Sequence, residues 1–76
     1  MSKRDKLIQK ILKGNNVSYQ EAENLLLELG FQLKITGSHH IFRKKEYTKT
    51  VSIKKRPLLF PYQVKDLQEV LKDHGY

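Results

Sequence analysis

The residues best suited to chemistry are two adjacent histidines, His39 and His40, which follow Gly37-Ser38 and precede Ile41-Phe42-Arg43-Lys44-Lys45. Histidine, with an unperturbed pKa of about 6.5, can accept or release a proton near neutral pH. Lysine and arginine instead hold and neutralise oxyanions. A histidine among Lys34, Arg43, Lys45, Lys54, Lys55 and Arg56 is therefore suited to moving protons on a bound polyanion. Other chemistries are poorly served. The absence of cysteine removes disulfides, thiolate metal sites and thiol nucleophiles. With no carboxylate cluster and no glycine-rich phosphate loop, neither a metal nor a small-molecule cofactor is expected. Neighbouring residues of a strand point to opposite faces, so His39 and His40 cannot chelate one ion.

The elements that must position these histidines are a pair of strands. Gly-Ser is a favoured two-residue hairpin connection, because glycine at the first central position supplies the positive φ of a type II′ turn. Phe31, Leu33 and Ile35 alternate with Gln32, Lys34 and Thr36, giving one apolar and one polar face. The turn then sets Thr36 opposite His39, Ile35 opposite His40, Lys34 opposite Ile41, Leu33 opposite Phe42 and Gln32 opposite Arg43, and opposed residues share a face. His40 and Phe42 are expected on the buried face, with His40 hydrogen-bonded near Ile35. His39 and Arg43 are expected on the open face, beside Gln32, Lys34 and Thr36. Ile41 is left outside, and a slip of one residue would exchange the two histidines.

The 76 residues predict one domain with one modest core, spanning 1–76, with residues 1–16 as a helical extension and 18–74 as the core. Ser2 with Asp5 starts a short helix whose stripe is Leu7, Ile8, Ile11 and Leu12, and Gly14-Asn15-Asn16 stops it. Ser18 with Glu21 forms a capping box ahead of Tyr19, Ala22, Leu25, Leu26 and Leu29, and Gly30 ends that helix. Strands follow over 31–36, 39–44 and 50–53. Pro57 and Pro61 bracket a connector to a last helix striped by Val64, Leu67, Val70 and Leu71. The expected class is α+β, ordered α-α-β-β-β-α, with helices on one face of a three-stranded antiparallel sheet.

The net charge of +7 is segregated. Residues 32–57 carry eight basic side chains against Glu46 alone, and the remainder of the chain is balanced. That distribution fits a phosphate-binding or acidic-partner surface. No apolar run approaches a membrane span and no signal-peptide core follows the charged N-terminus, so a cytoplasmic protein with no membrane partner is expected. His74, near the last turn of the final helix, is expected to complement the helix dipole.

The run from Ser18 through Gly30-Phe31, a strand, and then Gly37-Ser38-His39-His40-Ile41-Phe42-Arg43 resembles the HicA family of toxin ribonucleases. The likeness covers about residues 18–74, and only the helix-Gly-Phe-strand-Gly-Ser-His portion is motif-specific. It implies a fold like that of double-stranded-RNA-binding domains, and an mRNA-cleaving toxin held inactive by a HicB-type antitoxin. It also implies that the histidine directly after Gly-Ser, His39, is catalytic. The first sixteen residues inherit no role. RNA can be cut without metal when its own 2′-hydroxyl attacks the adjacent phosphorus. Under that reading His39 moves a proton, Lys34 and Arg43 hold the scissile phosphate, and Thr36 or Ser38 orients the imidazole or the backbone. Lys45, Lys54, Lys55 and Arg56 would extend the RNA-binding surface, and an acidic antitoxin would cover it. A second proton-transfer group, whether water, Tyr47 or a lysine, is left open.

Two other readings compete. A non-catalytic RNA-binding module of the double-stranded-RNA-binding type would use the same charge with no task for His39. A DNA-binding or scaffolding domain is poorly supported, because the final helix is too balanced in charge to read as a recognition helix.

Overall fold

A computed structural model describes residues 2–76. Helix α1 spans Lys3–Leu12 and α2 Tyr19–Glu28, followed by strands β1 Gln32–Thr36, β2 His39–Arg43 and β3 Val51–Lys54, and by helix α3 Pro61–Asp73. The class and element order match the sequence reading. Among the described residues no helix is long and apolar enough to cross a membrane.

Local signals account for the helix boundaries. The Ser2 and Ser18 side chains accept hydrogen bonds from the Asp5 and Glu21 amides, each at 3.1 Å. Glu21 completes its box by accepting from the Ser18 amide at 3.0 Å and also holds Lys10 of α1 at 3.0 Å. α2 stops in a Schellman motif: Phe31 N–H donates to the Leu26 carbonyl and Gly30 N–H to the Leu27 carbonyl, with Gly30 at φ 98°. The same pair of bonds ends α1 at Gly14 and α3 at Gly75.

The bond from the Ser18 amide, more than the Lys10 pair, holds the Glu21 carboxyl below its ordinary pKa of 4.5. A lowered folded-state pKa adds stability that is present above 4.5 and is lost as pH falls through the folded value. Glu21→Gln, which retains an acceptor for Ser18, should therefore flatten the decline of melting temperature between neutral pH and about pH 3. An unchanged acid profile would show that other carboxylates govern it.

The sheet is antiparallel in the order β1-β2-β3, which makes β2 the central strand. The β1–β2 register is the one expected, from Gln32↔Arg43 to Thr36↔His39. Gly37 has φ 60° while Ser38 has no positive φ, as a type II′ turn requires. α2 packs on β1 and α3 on β3, while α1 packs on both of those helices. One core cluster joins Phe42, Val51 and Ile53 of the sheet to Leu25, Leu26, Leu67 and Leu71, and it also takes in Ile8 and Ile11 of α1. The N-terminal helix is thus part of the core.

Two apolar expectations need correction. Ile35 has the predicted face, but next to the hairpin turn on the edge strand β1 it is 59% exposed. His40, opposite Ile35, is only partly buried. The core also gains Val17, fully buried between α1 and α2, whose carbonyl accepts from the Leu59 amide at 2.8 Å. A bridge between Ser18 and Leu58 lies beside it and pins the connector before α3 against the start of α2.

Candidate functional site

The uncovered face of the sheet can be read row by row from its register. The first row is Thr36, His39 and Lys54, one residue from each strand, with His39 in the middle. The second is Lys34, Ile41 and Ser52, and the third pairs Gln32 with Arg43. All but Ile41 are exposed, and no strand contains an acid. His39 makes no side-chain hydrogen bond to another described residue. Its ring therefore stands free on a flat, cationic face.

The rows separate the predicted site residues. Thr36 and Lys54 flank His39 directly, and Ser38 precedes it in the turn. Lys34 lies on the diagonal, about 7–8 Å away between backbones and within reach of a long side chain. Arg43 is four residues along the same strand, roughly 13 Å from His39. Lys45 is exposed in the turn beyond that end of β2, while Lys55 and Arg56 continue the chain past Lys54. Lys54 is the residue that strand periodicity alone does not place: β3 runs one residue further than expected, and this extension sets Lys54 opposite His39.

Of the eight basic residues in the positive stretch, two turn away. The Lys49 ammonium pairs with Asp73 at 2.8 Å, and Lys44 donates to His74 Nε2 at 3.0 Å. Because an ammonium can only donate, His74 Nε2 accepts and Nδ1–H donates to the Val70 carbonyl at 2.7 Å. His74 thus caps the end of α3 through its hydrogen bond to the Val70 carbonyl. Tyr47 packs edge-on against Phe31 and donates to Asp73 at 2.7 Å, and burial together with that carboxylate pushes its hydroxyl up to about 12. It follows the Arg43 end of β2, the far end from His39, so the structure does not bring this candidate proton-transfer group to the imidazole.

His40, on the helical side, is tied to α2. The buried Tyr19 hydroxyl lies 2.5 Å from His40 Nδ1 and donates to Glu23 at 3.2 Å. A hydroxyl has one proton, so with that proton on Glu23 the His40 Nδ1–H donates to the Tyr19 oxygen. Burial first, then Glu23, raises the Tyr19 pKa to about 12. The rings also meet edge-on at 4.9 Å. This contact anchors the strand position next to His39. Tyr19→Phe should lower stability by about 1 kcal/mol, read as a fall in melting temperature of about 4–8 °C. An unchanged melting curve would remove the anchor from the account.

An open sheet face bearing an exposed imidazole among Lys34, Arg43 and Lys54, backed by an α-β-β-β-α unit, defines an α+β domain. A family model described as HicA toxin of bacterial toxin-antitoxin matches residues 19–76, and the chain belongs to that family. No curated protein and no solved structure matched the chain. The family match starts at the first residue of α2, so α1 lies outside it.

Proposed function

We propose that this toxin is a metal-independent endoribonuclease that cuts messenger RNA in the cytoplasm through His39. The supporting observation is the row Thr36–His39–Lys54 on an exposed, acid-free face of the central strand. His39 removes the proton from a ribose 2′-hydroxyl as its oxygen attacks the adjacent phosphorus. The bond from phosphorus to the 5′-oxygen breaks, and the leaving oxygen takes a proton from water or a lysine. The products are a 2′,3′-cyclic phosphate and a 5′-hydroxyl. Lys54 and Lys34 neutralise the charge that builds on the non-bridging oxygens. Thr36, directly opposite, orients the ring, and Ser38 steadies the turn. Arg43 and Lys45 on one side, with Lys55 and Arg56 on the other, hold flanking phosphates. Such contacts carry little base information, so cleavage preference is expected to be modest.

The partner that silences this chemistry is a HicB-type antitoxin, which offers acidic residues to the same face and shields His39. Incubating RNA with the purified chain in excess EDTA tests the activity. Cleavage is expected, whereas salt-sensitive binding without cleavage would identify a non-catalytic RNA-binding module instead.

A further inference from the structure

Two large aromatic side chains stand outside the core at the start of α3. Phe60 is 41% exposed and Tyr62 63% exposed, yet their rings are held parallel, 11° apart in plane and 5.6 Å between centroids. The Arg56 guanidinium carbon lies 3.5 Å from the centre of the Phe60 ring. Two rings left this exposed forgo part of the stabilisation that burying apolar surface gives. Their mounting is firm. Pro61 begins the helix between them, the Phe60 amide donates to the buried Gln63 side chain at 2.9 Å, and the preceding Leu59 amide is tied to Val17.

We propose that Arg56, Phe60 and Tyr62 form a stacking platform for one unpaired base of the RNA strand that His39 cleaves, an inference that rests on the function proposed above. Lys54 shares a row with His39, and Arg56 is two residues further along the chain, at most about 7 Å away. The platform therefore begins where the proposed phosphate site ends. Lys54, Lys55 and Arg56 are three consecutive cations of the chain, and the last of them lies against the π surface. Alternating phosphates and flat bases are the ligand chemistry that such a combination matches, and base stacking on aromatic residues is how unpaired RNA is commonly held. An apolar protein surface would match the rings but not the three cations.

Binding of a single-stranded oligoribonucleotide to His39→Ala protein reads affinity without cleavage. Adding Tyr62→Ala is expected to weaken binding by about 5- to 100-fold, and circular dichroism should be unchanged because Tyr62 is exposed. Tyr62→Trp should preserve affinity, and its indole, the sole tryptophan of the chain, should be quenched by bound RNA. An abasic nucleotide at one position should weaken binding to the protein that retains Tyr62 and have no effect on the Tyr62→Ala protein. Equal affinity with and without the Tyr62→Ala substitution, or an unquenched indole, would overturn the platform. Loss of antitoxin binding with RNA affinity intact would also overturn it and assign the rings to a protein interface. Failure of the catalytic reading is seen separately, as cleavage that survives His39→Ala while Tyr62 is present.

Discussion

His39→Ala is expected to reduce RNA cleavage by about 10²–10⁴-fold, the range a positioned general acid or base contributes, while the fold stays intact. The imidazole is exposed and bonded to no described side chain, and surface substitutions of that kind change stability by no more than about 0.5 kcal/mol. Thermal melts should therefore match the parent protein. The neighbouring histidine supplies the contrast. His40→Ala removes the partner of Tyr19 on the helical face and should lower the melting temperature first. Initial rates and melting curves for both variants thus separate chemistry from anchoring. Undiminished cleavage by His39→Ala would end the proposed mechanism.

Ile11→Ala should destabilise the whole molecule by about 2–5 kcal/mol, although it lies outside the family match. A chain of this length has roughly 4–11 kcal/mol in total, so this one truncation removes a large part of it. Ile11 is fully buried, its helix packs on α2 and α3, and the Gln68 side chain donates to its carbonyl at 2.9 Å. The helix has become part of the core that holds the sheet, instead of an appendage. Chemical denaturation followed by circular dichroism should show one transition with a lowered midpoint and an unchanged slope. A midpoint that stays in place would mean that α1 unfolds independently.

Much of this arrangement was legible in the residues. The Gly37-Ser38 turn and the alternation on both sides of it specify register, and a slip of one residue would invert every side chain, so the separation of His39 from His40 follows from local sequence. The capping serines Ser2 and Ser18 and the glycine stops placed α1 and α2 for the same reason: their bonds are made within a turn. What escaped depends on contacts between distant segments. Lys54 reads as the start of a basic loop until its pairing with β2 is known. Ile35 has an apolar period yet stays exposed. Val17 is a single apolar residue between two helices and has no period. Lys44, Tyr47 and His74 meet at one end of the sheet from positions up to 30 residues apart, and the Arg56–Phe60–Tyr62 stack occurs in a connector with no repeating pattern.

In the proposed reaction an imidazole on this face lets an RNA strand cut itself through its own 2′-hydroxyl. The most direct test is to cleave a defined RNA in excess EDTA, and to analyse the fragment ends beside a substrate carrying a single 2′-deoxy sugar at the cut site. Fragments ending in 2′,3′-cyclic phosphate and 5′-hydroxyl, with no cut at the deoxy position, are the expected result. Fragments with 3′-hydroxyl and 5′-phosphate ends, or cleavage of the deoxy substrate, would contradict it.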